Sequence, residues 1–345
     1  MKLGLFGWHA YTGIGSQNFD LWRTKMFDTW LSPVYPNPKV PGYEPGGDFR
    51  RCRVERDRAM YRRFVREVDA LVLVERPMLV DFDLVGEFKA AGKPVVLIAN
   101  WEWFPPLSTK WVGGVSAIWC PNQRCYDHLA ALVARSQKPA PFELVLGSWG
   151  ALLSEWWYET RKVARTFVFA AGNGGVEMRK GEDVVRRAAE LTPEVEWLVK
   201  SQKPLAAPMP SNVSVQIGNL HSRRELYRDG DVMVLPSRWE GCGLSFYEAQ
   251  ASGMPVFCPD AEPMRSAGVP VLFGTCGERY QDLTGVPWRY QEPDPESLAK
   301  LVRMCHQKPI ALVSRAGRQW METNGNLVTI AGKIRAIAER LCRKS

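Results

Sequence analysis

The sequence is poor in the residues that build metal centres and disulfide frameworks. It has only four His, at 9, 128, 221 and 306, all far apart. Its eight Cys, at 52, 120, 125, 242, 258, 276, 305 and 342, include no C-x-x-C pair. A metal site or a disulfide scaffold is therefore not expected, and free thiols suit a reducing, cytoplasmic setting. No apolar run approaches the roughly 18–20 residues of a membrane span, so no stable membrane insertion is expected. A full G-x-G-x-x-G fingerprint followed by an acidic residue about 20 positions on is also missing. That argues against a nicotinamide-dependent dehydrogenase or an epimerase. Met1–Gly7 is a short apolar stretch with one Lys, and it reads as a first buried strand rather than a secretory signal.

What is present points to a globular chain. A hydrophobic share of 46% excludes global disorder, and 345 residues suggest two domains. The 14 Trp, and the Arg among the 45 basic residues, are the stacking and anion-holding side chains. Both fit a ligand with flat faces and negative charge. The formal charge of +8 is locally uneven. Arg50, Arg51, Arg53, Arg56, Arg58, Arg62, Arg63 and Arg66 crowd one stretch against Glu55 and Asp57.

Continuous apolar runs of strand length alternate with longer periodic segments. Strands are expected at 3–7, 70–74, 94–99, 117–120 and 142–146, then at 166–170, 196–199, 213–217, 232–235, 255–258 and 270–273. Helices are expected at 16–31, 50–67, 80–91, 122–135, 180–191, 222–228, 243–252, 295–307 and 326–343. Runs that do not alternate belong to parallel strands buried on both faces, and the strand–helix order implies doubly wound α/β. The series restarts near residue 150. An N-terminal domain over 1–155 and a C-terminal domain over 156–325 are expected, with a helix over 326–345 that packs back on the first. The Pro- and Gly-rich stretch 33–47 reads as a functional or mobile loop.

Residues 229–259 carry most of the functional information. A strand at 232–235 runs into Pro236-Ser237, then Glu240-Gly241-Cys242-Gly243, and a helix opens at Leu244. The glycines permit a tight turn and close backbone approach. The helix start presents free N–H groups and a positive dipole end, a site suited to a diphosphate. Glu240 and Glu248 flank it. Carboxylates beside a diphosphate repel it, so they should face hydroxyls of sugar or ribose.

This segment resembles the family-4 retaining glycosyltransferases of the GT-B fold. Their signature sets two Glu with seven residues between them, as Glu240 and Glu248 have here, followed by Ala249, Ala251, Gly253, Pro255 and Val256. The resemblance continues at Arg179-Lys180-Gly181, where the family's Lys binds the donor diphosphate. The Arg that the family places soon after the preceding strand is not evident. Asn173, Gly174 and Gly175 stand there, and Arg179 is its substitute. Gly13 and Gly15 match the family's Gly-rich N-terminal loop. At the end of the 94–99 strand the family places a His or an acidic residue, and here Asn100 and Glu102 follow. The resemblance is strongest over 165–275 and is one of pattern only over 1–150.

The resemblance implies two Rossmann-like doubly wound domains facing a cleft. It implies a nucleotide-diphospho-sugar donor, UDP-sugar foremost, and no prosthetic group. The diphosphate would meet Cys242, Gly243, Leu244, Arg179 and Lys180, and the Gly13–Gly15 loop. Glu248 would hold ribose, Glu240 would orient the sugar, and backbone near Gly218 would meet the base. Retaining enzymes of this fold are thought to react on one face, with the leaving phosphate helping to deprotonate the acceptor, so no dedicated nucleophile is required. Lys, Arg and a helix dipole can neutralise the departing diphosphate without a metal. Glu102 is a candidate general base.

The acceptor is expected at the Arg-rich stretch, through Arg50, Arg51, Arg53, Arg62 and Arg63. These suit a DNA backbone, with a flipped hydroxymethylated base as acceptor, as in phage-type DNA glucosyltransferases. Anionic lipid or lipopolysaccharide head groups are the alternative, as is another saccharide. A non-catalytic DNA- or sugar-binding protein is the alternative of a different class.

Overall fold

The computed structural model describes residues 1–10, 12–34, 45–53, 57–77, 82–136, 139–172, 179–281 and 288–344. The chain divides into two compact units, Met1–Leu152 with Leu327–Ser345, and Leu153–Asn326. Both are Rossmann-like and doubly wound around a parallel sheet.

The first unit holds β1 (Leu3–Phe6), α1 (Gly13–Arg23), β2 (Thr29–Val34), β3 (Phe49–Arg53), α2 (Arg58–Glu67), β4 (Ala70–Val74), α3 (Leu84–Ala90), β5 (Val95–Ile98), β6 (Ala117–Cys120), α4 (Gln123–Arg135) and β7 (Glu143–Leu146). The seven strands lie in the order β3-β2-β1-β4-β5-β6-β7, with every pairing parallel. The central strands β4 and β5 are apolar throughout and almost wholly buried, as covering by helices on both faces requires. The order reverses direction between β1 and β4, and the crevice outside the strands' carboxyl ends at that switch point is where such sheets bind ligands.

The second unit holds β8 (Thr166–Gly172), α5 (Glu182–Leu191), β9 (Glu196–Ser201), β10 (Val213–Ile217), β11 (Val232–Val234), α6 (Leu244–Ala251), β12 (Val256–Pro259), β13 (Val271–Phe273), β14 (Thr275–Gln281), β15 (Trp288–Pro293), α7 (Pro295–Cys305) and α8 (Ala311–Thr323). Its six-stranded sheet runs β10-β9-β8-β11-β12-β13, with the switch between β8 and β11. β14 and β15 form a separate antiparallel ribbon. The core joins Phe167, Phe169, Trp197, Val199, Val232, Val234 and Phe257 from the sheet to Val185, Ala188, Leu298 and Val302 from α5 and α7. After α8, α9 (Leu327–Cys342) returns to the first unit. There Arg335 donates to the Met26 carbonyl at 2.6 Å, and Arg340 pairs with Glu143.

Two expected helices prove shorter, and each has given up a strand. The segment 16–31 divides into α1 and β2. The segment 50–67 divides into β3 and α2, with 54–56 outside the described residues. The first part of 50–67 pairs as a sheet edge, Trp30 opposite Phe49 and Val34 opposite Arg53, and pairing overrides the helical propensity of Arg. The expected 222–228 helix is a 3₁₀ turn over Arg223–Tyr227. The greater part of the 33–47 loop lies outside the described residues, as do Asn173, Gly174 and Gly175.

Candidate functional site

In the second unit the chain leaves β8 and β11 at the switch point, and the two loops that follow lock together. Gly181 takes a left-handed φ of +74°, and a Cβ there would lie 2.3 Å from the Pro236 carbonyl oxygen, so only glycine fits. The Arg238 amide donates to the Arg179 carbonyl at 2.8 Å. Gly181 opens α5, and Gly243, at φ +70°, opens α6. Neither N-cap glycine closes its start with a side chain, and the N-cap residues of α2 and α8 make no cap either, whereas Thr12, Asp83, Asn122 and Asp294 cap α1, α3, α4 and α7. Uncapped N–H groups at a helix start favour an anion.

Glu240 stands between these helix starts, only 4% exposed. Its Oε1 accepts from the Ser237 hydroxyl at 2.7 Å and pairs with Lys180, and its Oε2 lies 3.4 Å from Arg179. Burial alone pushes its carboxyl upward, but Lys180 and Arg179 outweigh burial and hold it below the ordinary carboxylate value.

Glu248, in the second turn of α6, is 6% exposed. Arg223 pairs with its Oε1, and the Tyr227 hydroxyl donates to its Oε2 at 2.6 Å. Burial, and then Glu248, raises the Tyr227 hydroxyl well above its usual range, so it stays a donor. The Arg223 guanidinium lies 5.4 Å from the Trp156 ring centre. Trp156 in turn meets Tyr227 edge-on at 5.3 Å. Arg238 bridges α5 and the ribbon, with Nη2 2.7 Å from Asp183 and Nε 2.8 Å from Glu292. Burial opposes the charge on Arg238, and these two carboxylates overcome it.

The structure thus gathers Glu240, Lys180 and Arg179 around one carboxylate, with Cys242, Gly243 and Leu244 at the adjoining helix start. Gly218, exposed at φ +134°, follows the outer strand β10.

The remaining expected residues lie in the first unit. Gly13 begins α1 in open space. A Cβ at Gly15 would strike the Ala10 carbonyl at 2.0 Å, so Gly15 serves close backbone packing. Glu102 is buried in a 3₁₀ turn after β5. The Arg-rich stretch is not one face. Arg50 is drawn to Asp48 at 2.7 Å and to Glu67, and Arg63 pairs with Glu67 at 2.6 Å. Arg51 stands 3.3 Å from His9 Nδ1 and over the Phe49 ring. Arg53 and Arg62 are exposed.

At the carboxyl ends of β4 and β5 lies a polar cluster of which the motif reading signalled only Asn100. Asn100 Nδ2 donates to Glu75 Oε2 at 3.0 Å and to Gln17 Oε1 at 3.1 Å. All three side chains are more than nine-tenths buried. Glu75 holds a left-handed φ of +68°, a conformation that costs a non-glycine residue about 1–3 kcal/mol.

Residues 201–306 match a family model described as Glycosyl transferases group 1. That domain contains Glu240, Glu248, Arg223 and Tyr227. The fold is GT-B. It is shared with a glycosyltransferase from Rickettsia africae at TM-score 0.68 and 10% identity, over 100% of this chain and 99% of that one. A sucrose-phosphate synthase from Thermosynechococcus elongatus superposes at TM-score 0.66 and 12% identity, over 100% of both chains. An alpha-glucosyltransferase in complex with UDP and a 13-mer DNA containing a HMU base does so at 0.64 and 10%, over 98% and 99%. No curated protein matches the sequence.

Among the described residues no group of three or more His, Cys, Asp or Glu gathers to hold a metal. The sequence has two Asp-x-Asp spacings. Of the first, Asp83 caps α3, and Asp81 lies outside the described residues. Of the second, Asp229 pairs with Lys200 at 3.0 Å, and Asp231 accepts from the Arg165 and Thr166 amides. No helix among the described residues is long and apolar enough to cross a membrane. Sequence reasoning missed Arg223, Tyr227, Gln17 and Glu75. Glu75 alone had a visible sign, as a lone carboxylate closing the apolar run 70–74.

Proposed function

We propose that the protein moves a sugar, with retention, from a nucleotide-diphospho-sugar to a hydroxyl acceptor, and that the second unit's switch point is the donor site. One observation carries this reading. Glu240 is held charged by Lys180, Arg179 and Ser237 beside two helix starts whose N-cap glycines have no side chain to cap them. The helix starts and the two cations take the diphosphate, and Glu240 orients a hydroxyl of the sugar. Glu248 takes ribose hydroxyls in exchange for Arg223, and backbone after Gly218 meets the base. UDP is the proposed nucleotide, since the alpha-glucosyltransferase of the same fold binds it. The cations and the helix dipoles offset the departing charge without a metal. Gly13 and Gly15 keep a proposed part as backbone that approaches a phosphate or an acceptor, and Glu102 as a general base.

The proposed acceptor is a hydroxymethylated base in DNA. The alpha-glucosyltransferase bound to HMU-containing DNA supports it. So does the exposed face of α2, where Arg58, Arg62, Arg63 and Arg66 stand while Tyr61 and Phe64 are fully buried. Such a face offers a phosphate backbone cations, and offers a bilayer only the small Ala59 and the half-buried Met60. A lipid or saccharide acceptor is the second outcome to be scored, and a cytoplasmic location goes with the DNA reading. The test is mass spectrometry of hydroxymethylated DNA, lipopolysaccharide and simple saccharides after incubation with UDP-, GDP- and ADP-sugars, with EDTA present. The expected result is one hexose added to DNA from a UDP-sugar. Donor binding without any product makes the protein a binder and sinks the enzyme reading.

A further inference from the structure

The cluster at the switch point of the first unit has more polar capacity than its own residues use. Asn100 faces two acceptor atoms, Glu75 Oε2 and Gln17 Oε1, so it must present Nδ2 to both. That orientation turns Asn100 Oδ1 elsewhere, and among the described residues it finds no hydrogen-bond partner. Gln17 commits its oxygen to Asn100, and its Nε2 donor likewise finds none. Gln17 is 1% exposed and Asn100 6%. Buried polar groups are nearly always paired, so one donor and one acceptor left over in one cluster require a reason. The third member, Glu75, keeps a strained left-handed backbone where the Glu75 amide still completes the β4–β5 pairing by donating to the Ile98 carbonyl at 2.8 Å.

A group that donates one hydrogen bond and accepts another complements this arrangement, and an alcohol is that group. We infer that Gln17, Glu75 and Asn100 form an alcohol-binding subsite, which takes the hydroxyl of the acceptor. The hydroxyl accepts from Gln17 Nε2 and donates to Asn100 Oδ1 or to the Glu75 carboxyl. The three residues come from the helix after β1 and from the ends of β4 and β5, so the subsite is built on rigid elements. The strain at Glu75 then serves to aim its carboxyl. A purely structural pin would consume its own donors and acceptors. The assignment to an acceptor rests on the sugar-transfer reading, whereas the unpaired atoms and the strain do not.

The test uses the full chain and the variants Glu75→Gln, Glu75→Gly and Asn100→Ala. UDP-glucose is the donor, and methyl α-D-glucopyranoside and a duplex containing a 5-hydroxymethyl base are the alcohols offered. Melting temperature, UDP affinity and acceptor-stimulated UDP release are measured. Glu75→Gly should melt no lower than the parent, because glycine adopts the left-handed backbone without strain. UDP affinity should be unchanged in all three. Acceptor-stimulated release should fall about 100-fold in Glu75→Gln, and the acceptor KM should rise about tenfold in Asn100→Ala. A drop in melting temperature of more than about 5 °C in both Glu75 variants makes the cluster a structural pin and overturns the inference. So does release within about twofold of the parent in every variant. A rise confined to the donor KM puts the hydroxyl on the transferred sugar and overturns the acceptor assignment. If the parent neither binds nor turns over UDP-glucose, the sugar-transfer reading fails, and the melting data still judge the cluster.

Discussion

Glu240 remains a carboxylate only because two cations outweigh its burial. Its depressed value means that its stabilisation is complete above the ordinary carboxylate pKa of 4.5 and is lost as pH falls through the lower folded value. Lys180→Met removes the first cation that opposes burial, so the carboxyl should titrate at higher pH. The acid limb of the kcat/KM profile should move upward, and the rate at neutral pH should fall by about 10²-fold with the lost phosphate-facing charge. A pH–rate profile of the variant checks both, and an unmoved acid limb would mean that Lys180 does not set the charge on Glu240. Glu240, Lys180 and Arg179 were legible in the sequence because each sits at a fixed distance from a glycine that a turn demands. Arg223 and Tyr227 were not. They reach Glu248 from a 3₁₀ turn more than 20 residues upstream, and only the folded chain brings them together. Many of the Trp residues resolve as packing groups. Trp30, Trp101, Trp149 and Trp197 are among the largest fully buried side chains, while Trp156 carries Arg223.

At the scale of elements, the site depends on two helices that begin with left-handed glycines. Gly181→Ala places a methyl 2.3 Å from a backbone carbonyl at φ +74°, which costs about 2 kcal/mol or more. The second unit should then melt about 4–8 °C lower, and nucleotide affinity should fall with it. A calorimetric scan that finds the variant unchanged would remove the reason given for glycine at that position. Buried parallel strands were legible from their unbroken apolar runs, β4, β5 and β8 above all. β2 and β3 were not. Pro33 within β2 and three Arg within β3 contradict local strand propensity, and pairing along the sheet edge decides their state. The β14–β15 ribbon and α8 were not read; the buried residues of α8, Ser314, Gly317 and Met321, recur at helical spacing, but two of them are small and add little to an apolar stripe.

At the scale of the whole molecule, each unit repeats one plan, with a parallel sheet, a reversal of strand order and polar residues gathered at that reversal. The plan was legible because its signals are long and redundant. The contents of the two switch points were unequally so. The second unit's Glu240 group is written in two short motifs, 179–181 and 240–244, whereas Gln17, Glu75 and Asn100 are drawn from three separated elements. The central claim is that a nucleotide-diphospho-sugar sits on the starts of α5 and α6, and amide hydrogen exchange with and without UDP tests it most directly. The account predicts slowed exchange at residues 179–185, 223–227 and 237–248. No protection there with UDP, or protection of residues 7–17 by NAD in its place, would contradict it.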